Sequence, residues 1–295
     1  MNFESFVQLV IQGVNMGLVY ALMALAVSLI WNAAGIFNFA QGDLLTWGGY
    51  VMLTFCNLLG LPYYVSFISS LGMMAILGFL LSKLYFYPLI IKKANPHIIL
   101  IGTVALSVII KNSVLKIWGA QAQRFDHPFG NTPIHFGKVS VMPYQVANII
   151  IITSLVVLLQ FFLRKSVTGI AMRAVAQNSI ASSLMGVKVD QIVAITFSVS
   201  TILACIGGIL ISPSIPLTAN MGGTLATKAF AAVLIGGLGS FSGAMVGGIF
   251  VGLSEVIFSS LFASTYKDVF TFTLMAIVLV VKPGGIFKAE ISEKV

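Results

Sequence analysis

Charge is what this sequence has least of: 8% of its 295 residues are Asp, Glu, Lys or Arg, where a soluble domain carries about 25%. So few charges cannot cover a water-soluble globule, which excludes a cytosolic enzyme, and the wealth of apolar residues excludes a disordered or fibrous chain. Cysteine is almost missing, with Cys56 and Cys205 the two present. Two are too few for a disulfide framework, and both fall in or beside apolar stretches as small hydrophobes. The first dozen residues have no positive region ahead of their apolar run, which excludes a cleavable signal and leaves the first span in the membrane.

What is present is apolar sequence in long runs, 58% of the chain being hydrophobic. A hydrocarbon core of about 30 Å needs about 20 helical residues per crossing. Spans are expected near 8–31, 44–58, 62–82, 97–118, 143–163, 191–211, 227–238 (a short one), 241–262 and 267–281. Runs such as 146–163 are apolar throughout, without the alternation of a membrane β-barrel strand. The fold class is therefore all-α: a polytopic transmembrane helical bundle of about eight spans plus broken or re-entrant segments, in one domain covering 1–295.

Lys and Arg are retained on the cytoplasmic side of such bundles. With 83–96, 164–190 and 282–295 facing inward, that side collects Lys83, Lys92, Lys93, Arg164, Lys165, Arg173, Lys188, Lys282, Lys288 and Lys294, against Arg124, Lys138 and Lys267 outside. The N-terminus is then outside and the C-terminus cytoplasmic. The net charge of +8 is a topology signal, and its division among short loops speaks against a nucleic-acid partner.

Two segments are irregular. In GIFNFAQGDLLTWGGY (35–50), Asn38, Phe39, Gln41, Gly42 and Asp43 precede a short apolar stretch. In KAFAAVLIGGLGSFSGAMVGG (228–248), Gly236, Gly237 and Gly239 interrupt one. Irregular backbone at membrane depth is tolerated where protein or a water-filled cavity satisfies its polar groups, so each segment is either a broken helix beside a pathway or a tight turn at the cytoplasmic edge. Gly239, Gly243 and Gly247, then Gly248 and Gly252, and Gly13, Gly17 and Ala21 follow at spacing four, the pattern of close helix contact. Lys111 and Glu255 each lie fourteen residues into a span. They could pair, share a hydrated cavity, or snorkel to the outer headgroups. The spans lack the series of Asp, Glu and His that proton-coupled transport uses. Asp126, His127 and His135 make a poor metal site, and no GxxxxGK[ST] loop is present to hold a nucleotide phosphate.

The most informative soluble stretch is RKSVTGIAMRAVAQNSIASSLMGVKVD (164–190). Ala171 to Met185 lacks Pro and Gly and precedes Gly186, a suitable residue after a helix end, so one short amphipathic helix is expected. Ala171, Ala174, Ala181, Met172, Leu184 and Met185 offer an apolar contact surface, and Arg173, Gln177 and Asn178 offer hydrogen bonds. One basic residue is too few to hold anionic lipid firmly, and a cytoplasmic protein partner fits better.

Four motifs in order, GLVYALMALAVSLIWNAAGIFNFAQGDLLTWGGY (17–50), GIAMRAVAQNSIASSLMGV (169–187), KAFAAVLIGGLGSFSGAMVGGIFVGLSE (228–255) and KPGGIF (282–287), resemble the inner-membrane permease of branched-chain amino acid ABC transporters, the LivH type. That resemblance implies that Gly169, Arg173, Ala174, Gln177, Asn178, Ala181 and Gly186 belong to the loop that seats in a groove of the ATPase. It also implies a second homologous permease, two cytoplasmic ATPase subunits that bind the ATP, and an extracytoplasmic solute-binding protein. No cofactor is expected in this chain. Asn38, Phe39, Gln41 and Gly42 match a family signature that usually has His at the place of Gln41. The implied function is import of Leu, Ile or Val. A urea or short-amide permease, a stand-alone channel or secondary transporter, and an intramembrane enzyme are the competing readings.

Overall fold

The computed structural model describes residues 3–91, 95–130, 132–136, 139–262 and 264–287. Lys92, Lys93, Lys138, Lys288 and Lys294, which contribute to the charge asymmetry, lie outside the described residues. Each expected span is a helix. In chain order they are α1 (Phe3–Ala34), α2 (Gln41–Leu53), α3 (Tyr63–Leu81), α4 (Tyr87–Ile91), α5 (Pro96–Trp118), α6 (Pro143–Lys165), α7 (Val167–Gln177), α8 (Ser179–Leu184), α9 (Val189–Ile211), α10 (Met221–Gly236), α11 (Phe241–Leu261) and α12 (Lys267–Val281). Wider π-helical turns continue α2 over Thr54–Leu58 and join α3 to α4 over Ser82–Phe86. Among the described residues, six helices are long and apolar enough to cross a membrane: Glu4–Ala34, Tyr63–Ile90, His97–Trp118, Pro143–Lys165, Val189–Ile211 and Phe241–Leu261. A small antiparallel hairpin, β1 (Ile134–Phe136) and β2 (Val139–Val141), interrupts the otherwise helical chain within the expected outer loop.

Local chemistry sets the helix ends. Asn95 accepts a hydrogen bond from the His97 amide at 3.1 Å, and Pro96 fills the first turn of α5, where a missing N–H costs nothing. Ser240 caps α11 by accepting from the Gly243 amide at 3.0 Å. α1 ends where Gly35 takes a left-handed φ of 67°.

The chain divides into two compact units. One is drawn from residues within Met1–Leu25, Asp126–Val156 and Thr227–Ala289; the other is drawn from Ala26–Phe125 and Val157–Ala226. In the first unit, α11 lies against α1 and α10 through glycine. A Cβ on Gly17 would fall 2.7 Å from the Ile249 Cα, and Cβ atoms on Gly248 and Gly252 would strike Ala21 and Gly17. Gly243 and Gly247 meet Gly236 and Ala232 in the same way. The glycine spacing read from the sequence is thus a set of backbone contacts. On another side of α11, Phe258 stacks on Phe270 of α12 with ring centroids 4.0 Å apart.

In the second unit, α2 is enclosed by protein: each of its residues except Trp47 is buried. It packs on α9 where Gly48 meets Cys205 and Gly208 meets Leu45, and on the start of α10 where Gly42 meets Gly222. α3 packs on α9 at Gly78, and the Thr201 hydroxyl donates to the Met74 carbonyl at 2.9 Å. Lys83 and Asp190, paired at 2.6 Å, tie the turn after α3 to the start of α9. Phe86 and Phe197 fill the space between them at 4.4 Å between centroids.

Candidate functional site

The segment 164–190 forms two helices where one was expected. Ser166 caps α7, its hydroxyl accepting from the Gly169 amide at 2.9 Å. Asn178, extended at φ −153° and ψ 104°, ends α7 and caps α8 by accepting from the Ala181 amide at 2.9 Å. An Asn that satisfies an orphan N–H in a non-helical conformation competes with the helix it interrupts. Absence of Pro and Gly therefore did not suffice to keep 171–185 continuous. Gly186 takes φ 85° just after α8, a conformation available to it for lack of a Cβ.

Burial sorts the loop residues. Gly169, Met172 and Val175 face inward, and a Cβ on Gly169 would strike the Phe162 carbonyl. Met172, expected on the contact surface, is instead part of the packing. Arg173, Gln177, Asn178, Ala181 and Gly186 are exposed, and Ala174 is half-buried. Beside them stand Val167, Ile170, Ile180, Leu184 and Met185, the last two 84% and 85% exposed. These side chains form an exposed apolar ridge beside polar ones.

The NFAQG segment is a closed, hydrogen-bonded turn. Asn38 Oδ1 accepts from the Ala40 amide at 3.1 Å, Asn38 Nδ2 donates to Gln41 Oε1 at 3.3 Å, and Gln41 Nε2 donates to the Ser200 carbonyl at 3.1 Å. An amide side chain serves here as donor and acceptor at once, so Gln41 is held by hydrogen bonds that need no ionisation. Gly42 is required for the approach to Gly222, and Phe39 projects outward. A run of contacts aligns α2 with α5 in the same direction: Thr103 to Phe37, Ser107 to Asp43, Trp47 to Ser113 and Trp118 to Thr54. This turn lies opposite Thr103, seven residues into α5 and about 10 Å above its start, rather than at the end of that helix. The segment is thus a hydrogen-bonded turn between α1 and α2 that packs beside α5. A cavity of about 520 Å³ lies beside it, lined by Trp31, Ile36, Phe37, Ile90, His97 and Leu100 among others. Spacing alone could not reveal that cavity, because its lining comes from three separate stretches of chain.

The second irregular segment is also a turn. Gly237 and Gly239, at φ 110° and 80°, make a tight turn between α10 and α11, with Gly236 against Gly243. The carbonyls left open at the end of α10 receive the chain that follows α12: the Ile286 amide donates to Ile235 at 2.8 Å and the Phe287 amide to Gly236 at 3.0 Å. The KPGGIF motif is thus a backbone cap for a distant helix.

Glu255 is buried, but its partner is Lys228 of α10 rather than Lys111. The Lys228 ammonium donates to Glu255 Oε1, and the Tyr20 hydroxyl donates to Oε2 at 2.9 Å. Asp268 Oδ1 stands 3.3 Å from the same ammonium, and Lys267 stands 4.0 Å from Glu255. Equal depth suggested Lys111, but rise along a helix says nothing of azimuth, and the glycine contacts bring α10 against α11. Lys111 belongs to the other unit, within electrostatic range of Asp43. Lys228 and Tyr20 were missed as partners; the small-residue contacts on both sides of α11 were the available signal.

Helices long and apolar enough to cross a membrane, with a capped, apolar-ridged elbow between two of them, define a polytopic membrane protein. The family described as branched-chain amino acid transport system / permease component matches residues 9–279, and the chain belongs to that family. It is 30% identical over 316 residues to the high-affinity branched-chain amino acid transport system permease protein LivH of Escherichia coli strain K12, covering 100% of this chain and 99% of that one. To the permease protein BraD of Pseudomonas aeruginosa it is 28% identical over 304 residues, covering 98% of each. A solved structure of PsaBC from Streptococcus pneumoniae in complex with Fab aligns at a TM-score of 0.48 and 15% identity, over 95% of this chain and 92% of that one.

Proposed function

We propose that the chain is the transmembrane permease subunit of an ATP-binding-cassette importer for leucine, isoleucine and valine, residing in the inner membrane with its N-terminus outside and its C-terminus in the cytoplasm. Its family membership and full-length similarity to relatives named for branched-chain amino acid transport support that cargo. ATP is bound and hydrolysed by two partner subunits, a second homologous permease completes the pathway, and an extracytoplasmic binding protein delivers substrate. Closure of the ATPases moves the elbow 164–190 and shifts the pathway from outward-open to inward-open.

The observation that carries this reading is the exposed ridge of Val167, Ile180, Leu184 and Met185 on two capped helices. Capping makes the elbow stiff enough to transmit force, and the ridge gives a partner something to grip. Burying one such side chain in an interface contributes about 1.5–3 kcal/mol, roughly ten- to a hundredfold in an equilibrium. Leu184→Asp is therefore expected to lower ATP-driven leucine uptake by the reconstituted transporter at least about tenfold while membrane insertion is unaffected. Uptake at the unaltered rate in that variant overturns the docking role.

A further inference from the structure

Two buried carboxylates in this chain are treated differently. Glu255 is closed off by Lys228 and Tyr20. Asp43, 4% exposed on α2, has a hydroxyl as its hydrogen-bond partner among the described residues, Ser107 donating to Oδ2. Lys111, one turn further along α5, attracts that carboxylate without closing an ion pair on it. Ser107, which holds Asp43, lies eleven residues after Pro96, about 16 Å along α5. A carboxylate buried in a bundle of apolar helices is retained for a pathway or a partner charge.

The face of α5 that carries Ser107 and Lys111 also carries Val104, Val108 and Leu115, all at spacings of three, four or seven. Val104 and Val108 are 44% and 53% exposed, and Ser107 and Lys111 are half-buried. An anion and a cation held apart, with branched apolar side chains along the same stripe, complement a molecule that carries an ammonium, a carboxylate and a branched aliphatic group.

We propose that Asp43, Ser107 and Lys111 form a zwitterion subsite on the transport path: Asp43 and Ser107 receive the α-ammonium, Lys111 the α-carboxylate, and Val104 and Val108 the aliphatic side chain. The proposal rests on the amino acid cargo given above. Asp43 waits without a closed ion pair because the passing substrate supplies the cation.

The test uses the assembled transporter in proteoliposomes. Asp43→Asn keeps an acceptor for Ser107 and removes the charge; it is expected to cut leucine uptake at least about tenfold, while Asp43→Glu keeps it within about threefold. Lys111→Met is expected to fall with Asp43→Asn. Independently, Val108→Cys in an otherwise native chain is modified by a cationic methanethiosulfonate reagent, with the unaltered chain reporting the background of Cys56 and Cys205. Millimolar leucine is expected to slow that modification at least about fivefold. If the unaltered transporter carries leucine but leucine leaves Val108→Cys unprotected, the subsite is wrong whatever the charge variants do. If the unaltered transporter carries no leucine, the cargo reading itself fails.

Discussion

Lys228 sits within a helix whose neighbours are almost all apolar, and it is buried, 7% exposed. Its charge is met by Glu255 and Asp268, and its Nζ lies 5.6 Å from the centroid of the Tyr20 ring. Removing one member of a buried pair strands the other at a cost of about 3–5 kcal/mol, whereas replacing both by apolar groups is often neutral. Lys228→Met should therefore lower the thermal unfolding midpoint of the purified chain in detergent, and Lys228→Met with Glu255→Leu should recover most of the loss. Equal midpoints for the single variant and the parent would show that the pair contributes nothing. The partners come from residues 20, 228 and 255, so no local pattern announces the cluster.

At the scale of elements, the elbow shows how one side chain divides a helix. Asn178 offers α8 the acceptor its first turn lacks, and Asn→Ala at such a cap costs about 1 kcal/mol. Asn178→Ala should lengthen α7 through the junction and swing Leu184 and Met185 off the ridge. Its expected readout is a several-fold drop in uptake per ATP hydrolysed, with folding of the spans unchanged. An unaltered ratio would mean the junction is not part of the transmission. The span helices were readable because their apolar runs are longer than any soluble element needs, and the glycine spacing told which faces meet. The start of α10 was not: Met221 to Ala226 lies ahead of the apolar run expected at 227–238, and Gly222 earns its helical place through the approach to Gly42. The cap that Ile286 and Phe287 provide for α10 was equally hidden, since backbone N–H groups look alike in every sequence.

For the whole molecule, helices sort by enclosure. In the most apolar window of α1, 89% of residues are buried, and in α9 78%; in α5 and α6 the share is 28%. The enclosed helices carry small residues and intramolecular hydrogen bonds, such as Ser200 to the Ala26 carbonyl at 2.8 Å. The open ones present Ile, Leu, Val and Phe to their surroundings, as lipid requires. The proposed orientation rests on the distribution of Lys and Arg. Single cysteines at Ser183 and Gln121 should be labelled by an impermeant maleimide from opposite sides of the membrane, Ser183→Cys from the cytoplasm and Gln121→Cys from outside. Labelling of Ser183→Cys from outside would reverse the orientation and remove the elbow from any cytoplasmic ATPase.

By itself the amino-acid order determined the solvent, the helices that cross it, the faces along which glycine lets them touch, and the polar stretch between α6 and α9. These follow from composition and from periods of a few residues, which act locally. Tertiary packing decided that both irregular segments close as turns, where Glu255 finds its cation, and that Asp43 is met by Ser107. Those outcomes depend on azimuth and on neighbours far apart in the chain, and only the packed helices specify them.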